Sequence, residues 1–210
     1  MTRLVLASAS PARREVLRSA GIDPVVRVSE VDEDAVAAAL PADTAAQQVV
    51  VELARAKATA VIANLHEFSH DCVVVACDSM LLLDGELQGK PHTPEIARAR
   101  WGDMAGRSAD LVTGHCVVRL QDHQVTAEAV DYSSTTVHFA KPEPDELDAY
   151  IATGEPLRVA GAFTLDGLGG WFVDRIDGDP SSVIGIGLPL LRRLLGKVGI
   201  GITQLWGHPS

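Results

Sequence analysis

Residues 4–11 read Leu-Val-Leu-Ala-Ser-Ala-Ser-Pro, and the parsing of that stretch decides the fold. Leu4 to Ala7 is a short apolar run of the kind a buried strand shows, while Ser10 offers a capping hydroxyl and Pro11 the residue favoured at a first helical position. A strand therefore hands over to a helix across Ser8 to Pro11. The helix carries Val16, Leu17 and Ala20 on one face and stops at Gly21, after roughly two to three turns. Val25 to Val28 then reads as a second strand, and a strand–helix–strand opening places the chain in the α/β class.

Working outward, Thr44 can cap a longer helix whose stripe passes through Val49, Val50, Leu53, Ala60 and Val61. The apolar run Cys72 to Cys77 is the next strand, which Asp78 is expected to end. Asp84-Gly85 is a hairpin turn signal between Met80–Leu83 and Glu86-Leu87, and Thr93-Pro94 opens a helix to about Met104. From Asp110 to Phe139 the alternation predicts two long strands joined near Asp122 to Gln124. A helix from Pro142–Pro144 to about Ala152, a glycine-rich stretch from Gly161 to Gly170, a strand near Trp171 to Ile176 and a helix around Leu188 to Leu195 complete the pattern. Strands and helices interleave but hairpins are present, so the sheet is expected to be mixed and flanked by helices. No internal repeat or linker interrupts it, and residues 1–210 are read as a single domain.

Composition narrows the function. At 210 residues and 47% hydrophobic the chain can bury a substantial core. A formal charge of −10 argues against a grip on a nucleic acid polymer, which needs a basic face, so any anionic ligand must be held locally. Apolar runs fall short of a bilayer crossing and the first residues lack a signal-peptide pattern, which predicts a cytoplasmic protein with no membrane partner. The three cysteines Cys72, Cys77 and Cys116 have no zinc-like spacing and read as inert core residues. The seven histidines, His66, His70, His92, His115, His123, His138 and His208, form no HExxH-like pattern and are not read as metal ligands. Trp101, Trp171 and Trp206 are read as core or interface residues.

Phosphate chemistry needs donors around oxygens and carboxylates that hold a metal or orient water. At Ser8-Ala9-Ser10-Pro11-Ala12-Arg13 two hydroxyls, helix-start N–H groups and a guanidinium could face one anion, or Ser10 could merely cap. Glu30 to Asp34 is an acidic cluster that is either a solvated loop, the acidic first turn of a helix, or part of a site. Lys57 shares a helix face with Leu53 and Val61 and either snorkels or points inward. Asp78-Ser79 follows an apolar strand, where α/β sheets place ligands, though an Asp there can also cap a turn. Lys90-Pro91 follows the hairpin beyond it, and no GxxxxGK[ST] supports a P-loop.

Taken together, LASASPARREVL at 6–17, SEVDE at 29–33, ARAKA at 54–58, ACDSMLLLDGELQGKP at 76–91, and GEPLRVAGAF with IDGDPSSVIGIGLPL from 154 resemble the Maf family of nucleoside triphosphate pyrophosphatases. The ordered match covers almost the whole chain. The resemblance implies an inosine triphosphatase-like fold, a mixed α/β sheet in two lobes around a deep cleft. It implies cleavage of the α–β phosphoanhydride of a nucleoside triphosphate, canonical or modified, to a monophosphate and pyrophosphate, in a house-cleaning role. It also implies catalytic roles for Asp78, Glu33, Lys57 and Lys90, with Glu33 and Asp78 holding Mg²⁺ or Mn²⁺, and substrate contacts from Ser8, Ser10, Arg13, Ser79 and Asp166. A homodimer is plausible by the same analogy.

The departures bear on base choice. The family's first arginine of SPRR is Ala12, GADT becomes ACDS, the lysine of KAGAY is Val159 and the glutamine of IQG is Asp166. An acidic residue at 166 looks closer to the 7-methyl-GTP subfamily than to the dTTP/UTP one, since a carboxylate accepts from a guanine amino edge and repels a pyrimidine O2. Two other classes remain open at this point. One is a regulatory septum inhibitor acting by protein interaction, and the other a metal-dependent phosphohydrolase that releases orthophosphate.

Overall fold

The computed structural model describes residues 2–65 and 71–207. Its elements are β1 (Arg3–Ala7), α1 (Pro11–Ser19), β2 (Val25–Arg27), α2 (Glu33–Ala38), α3 (Ala46–Ala63), β3 (Asp71–Leu83), β4 (Glu86–Gln88), α4 (Pro94–Met104), β5 (Ser108–Gln121), β6 (Gln124–Phe139), α5 (Pro144–Ala152), β7 (Val173–Asp177), α6 (Pro180–Ile184) and α7 (Leu188–Lys197), with short 3₁₀ turns between some of them. Seven strands form one mixed sheet in the order β2-β1-β3-β5-β6-β7, with β4 paired to β3. β1 runs parallel to β2 and β3, whereas β3/β4 and β6/β7 are antiparallel. The expected mixed α/β class is the observed one.

The chain forms two compact units, residues 1–78, 113–133 and 185–210 in the first and residues 79–112 and 134–184 in the second. In the first unit the two-residue period of the strands sorts side chains onto opposite faces. Leu4, Leu6, Val73, Val75 and Cys77 pack with Leu17 of α1 and with Leu190, Leu191, Leu194 and Leu195 of α7. Val5, Ala7, Val74 and Ala76 pack with Ala54, Ala58 and Val61 of α3. Cover on both faces explains why these strands are apolar throughout rather than alternating. Helix α3 lies very close to β5: a Cβ on Gly114 would stand 2.2 Å from the backbone oxygen of Val50, so only glycine fits there.

The second unit has one core, centred on the fully buried Trp101 of α4. Phe139, Tyr150 and Phe172 meet the indole edge-on at centroid distances of 5.7, 6.2 and 5.8 Å, and its Nε1–H donates to the Ala162 carbonyl. Such T-shaped pairs add to the burial of large apolar area, and the donated bond satisfies the indole's polar atom.

Two expectations are corrected. Thr44 does not cap α3; the N-cap is Ala45, without a side-chain bond, because the Thr44 amide closes a turn onto the Pro41 carbonyl. Nor does Asp78 end its strand, since β3 continues unbroken to Leu83. The acidic cluster is the first turn of a helix, with Asp32 as N-cap of α2 and Glu33 and Asp34 against its positive end. Of the tryptophans, Trp101 is core, Trp171 is 84% exposed and Trp206 about half exposed. Both hairpins turn through residues of positive φ, at Asp84-Gly85 as that pair favours and at Asp122-His123 without a glycine.

Candidate active site

The site in the first unit is assembled where β1 ends and its parallel neighbour β3 runs on past it. β1 and β3 run with Leu6 beside Val75, so the residues that follow, Ser8 and Cys77-Asp78, emerge side by side. The Ser8 hydroxyl, itself buried, accepts from the Ser10 amide (3.1 Å) and from Arg13 Nη1 (3.2 Å). Ser10 caps α1 by accepting from the Arg13 amide, while Arg13 Nε donates to the Gly185 carbonyl at 2.7 Å. The capping reading of Ser10 therefore holds, and one turn further on the guanidinium is held through Nε and Nη1.

Lys57 points inward. It occupies the buried face of α3, and its ammonium lies 2.8 Å from Glu33 Oε1 while also pairing with Asp78 Oδ1. The Lys57 and Asp78 side chains are 9% and 5% exposed, against 40% for Glu33. An inward lysine is tolerated because two carboxylates compensate its desolvation, and the same pairing lets a charged Asp sit within a continuous strand. Asp78 Oδ2 is buried with no hydrogen-bond partner among the described residues.

Cys77 reports the charges around it. Burial pushes its thiol up to about 12, the cations of Arg13 and Lys57 pull the other way, and Asp78 adds to the rise. Both cations therefore lie near the stretch of β3 that carries Cys77 and Asp78. All three cysteines are buried and free, as the sequence reading expected.

The structure thus brings together Ser8, Ser10 and Arg13 in one group and Glu33, Lys57 and Asp78 in another, beside the neighbouring strands β1 and β3. Ser79, half buried, Lys90, exposed just after β4, and Asp166, exposed in the glycine-rich loop, belong to the second unit. No cluster of three or more His, Cys, Asp or Glu side chains suited to a metal occurs among the described residues. His66, His70 and His208, which the sequence reading set aside as ligands, lie outside those residues.

Three residues with structural claims on function escaped the sequence reading. Gly185 supplies the carbonyl for Arg13, and its place in Gly185-Ile186-Gly187-Leu188-Pro189 was the available signal. His115 is fully buried and bonded to the same segment, a contact no local spacing foretells. Glu155 binds the glycine-rich loop of the second unit: Thr164 Oγ1 donates to Oε1 at 2.5 Å, and the amides of Gly169 (3.1 Å) and Leu168 (3.2 Å) donate to its two oxygens. Burial alone would raise its carboxyl, but these donors outweigh that and hold it below the ordinary range.

The fold and the site define an α/β protein with fixed cations and carboxylates gathered beside the carboxyl end of β1 and the middle of its parallel neighbour β3. The Maf-like protein family matches residues 3–198, and the chain belongs to that family. It is 81% identical over 207 residues to the nucleoside triphosphate pyrophosphatase of Nocardia farcinica, covering 99% of this chain and 98% of that one. It is 67% identical to the protein of the same name from Rhodococcus jostii, covering 98% and 97%. Among solved structures, the Staphylococcus aureus Ham1 protein aligns over 98% of this chain and 94% of that one at 12% identity with a TM-score of 0.39, too distant to add to the fold described above.

Proposed function

We infer that the protein is a nucleoside triphosphate pyrophosphatase, which hydrolyses the α–β phosphoanhydride of a nucleotide to a monophosphate and pyrophosphate. The observation that carries this reading is the buried Lys57–Asp78 pair with Glu33 on the same ammonium, in a chain whose full-length relatives bear that name. In the proposed reaction Asp78 accepts the proton of the water that attacks the α phosphorus, the α–β bond breaks, and pyrophosphate leaves. Arg13 and Lys57 are fixed before substrate arrives, so they can neutralise phosphate charge without reorganising. The Ser8 and Ser10 hydroxyls and the start of α1 offer further donors to phosphate oxygens. Roles for Lys90, Ser79 and Asp166 toward the substrate rest on the resemblance of their motifs.

A divalent cation is part of the proposal. The donor set is oxygen only, and the unpartnered buried Oδ2 of Asp78 is an atom that a hard cation suits. Asp78 and Glu33 would hold Mg²⁺ or Mn²⁺, which when bound supplies Lewis-acid stabilisation of phosphoryl oxygens. A cytoplasmic house-cleaning role on nucleotide pools and a homodimer complete the reading. No helix among the described residues is long and apolar enough to cross a membrane. The septum-inhibitor alternative draws no support from relatives named for pyrophosphatase activity.

The test is a panel of canonical and modified nucleoside triphosphates with Mg²⁺ or Mn²⁺, products resolved beside Asp78→Asn. Monophosphate and pyrophosphate that vanish in the variant are the expected result, and the best substrate reveals whether Asp166 favours a guanine-type base. Orthophosphate as the product, or turnover unaffected by the variant, sinks the reading.

A further inference from the structure

The interior of β5 holds an imidazole that the reaction does not touch. His115 is fully buried; its Nδ1 lies 3.1 Å from the Thr113 carbonyl and its Nε2 2.9 Å from the amide nitrogen of Gly187. A carbonyl only accepts, so Nδ1 carries the hydrogen, and Nε2 is then the lone pair that receives the Gly187 N–H. Both bonds together require the neutral ring in a single tautomer.

Gly187 is the N-cap of α7 and has no side chain to bond the helix start. Immediately before it, Ile186 is fully buried in the core, and Gly185, at φ +139°, turns its carbonyl onto Arg13 Nε at 2.7 Å. The contact with Arg13 is close: a Cβ on Gly185 would lie 3.1 Å from Arg13 Cγ and 3.3 Å from Nε. The order of contacts is therefore His115 to Gly187, then along the chain to Gly185, then to the Arg13 guanidinium, all within the first unit. An aliphatic side chain would fill the same space in β5 without the desolvation cost of an imidazole, so what the imidazole adds is directed bonding, the bond to the Gly187 amide included.

We propose that His115 is a positioning residue for Arg13, holding residues 185–187 in the shape that presents the Gly185 carbonyl to the guanidinium. The proposal rests on the reading of Arg13 as a phosphate-binding group, and it adds a control point remote from the reacting atoms. A displacement of about 1 Å in such a group can cost on the order of a hundredfold in rate.

Three variants separate this role from simple core packing. His115→Gln can place an amide oxygen near the Nε2 position; His115→Asn reaches only the Nδ1 position; His115→Leu keeps bulk without polarity. With the triphosphate that the panel selects, kcat/KM is expected to fall about tenfold to a hundredfold in His115→Leu and His115→Asn and to recover to within roughly threefold in His115→Gln. In an Arg13→Ala background the His115 substitutions should change little further, because the group they act through is gone. Equal losses with and without Arg13, or wild-type kcat/KM in His115→Asn, would overturn the proposal. A readout independent of turnover is the ¹⁵N spectrum: in His115→Asn the Gly187 amide and the Arg13 Nε–H should exchange faster with solvent. Protection of both unchanged from wild type also refutes the relay, whereas protection lost in His115→Asn, beside a wild type that hydrolyses no triphosphate, would leave the relay standing and remove only the reading of Arg13 as a phosphate-binding group.

Discussion

Lys57 and Asp78 form an ion pair buried on both sides, one partner on a helix and the other within a continuous strand, with side-chain exposures of 9% and 5%. Two charges so enclosed are costly to desolvate and are retained together or lost together. That asymmetry makes single substitutions informative.

Lys57→Met should destabilise the fold by about 3–5 kcal/mol, because it strands the Asp78 carboxylate without its compensating charge. Adding Asp78→Asn to that variant should recover part of the loss by removing the stranded charge. Urea unfolding of the single and double variants measures both, and additive effects would show that the pair is not coupled. Turnover should fall a hundredfold or more, on the order of 3 kcal/mol, in either single variant.

Gly114→Ala should cost about 3 kcal/mol or more, at the upper end for overpacking, since the atoms in the way are backbone and cannot rotate aside. Thermal unfolding checks this, with Gly102→Ala in α4, where a Cβ meets nothing within 4 Å and alanine is the better helix former, as the control that is not destabilised.

Glu155 gives the second unit a pH dependence of definite sign. Its folded carboxyl titrates below the ordinary 4.5, so the unfolded chain binds the proton more readily. The stabilisation is complete above about pH 4.5, the ordinary glutamate value, and is lost as pH falls through the lowered folded value. The stability difference between wild type and Glu155→Gln, followed by urea unfolding, should be constant at neutral pH and shrink in acid. A difference that grows in acid would contradict the loop bonds as its source.

The thiols should be silent in the native protein. Burial raises Cys72 to about 11 and Cys77 and Cys116 to about 12, and the thiolate is the reactive form. A disulfide reagent such as Ellman's should label none of the three at neutral pH and all three in denaturant; rapid native labelling of Cys77 would mean that β3 opens around Asp78.

Much of the fold was legible because the long elements announce themselves. The Leu4–Ala7 and Cys72–Cys77 runs, the Ser10-Pro11 and Thr93-Pro94 caps and the Asp84-Gly85 turn all lie where the sequence puts them. What misled was local logic overridden at a distance. Asp78 reads as a strand terminator because a lone charge inside a sheet is costly, yet Lys57, 21 residues earlier, supplies the compensation. Thr44 reads as a cap because its hydroxyl suits one, but a preceding turn moves the helix start past it. Helices α2 and α6 are too short to show a period, and α2 could be foreseen only as one reading of an acidic cluster. The motifs pointed to Ser8, Ser10, Arg13, Glu33, Lys57 and Asp78, which the first unit gathers into two groups, while His115 and, in the second unit, Glu155 bond backbone amides distant in sequence and carry no local signature.

The close approach of Gly114 to Val50 makes helix α3 a lever. Lys57 lies seven residues beyond that contact, an arm of about 10 Å, so a tilt of about 10° at the fulcrum carries the ammonium about 2 Å. A hydrogen bond does not survive such a stroke. The aim of the site's most buried cation is thus set at a point where the sequence supplies no side chain at all.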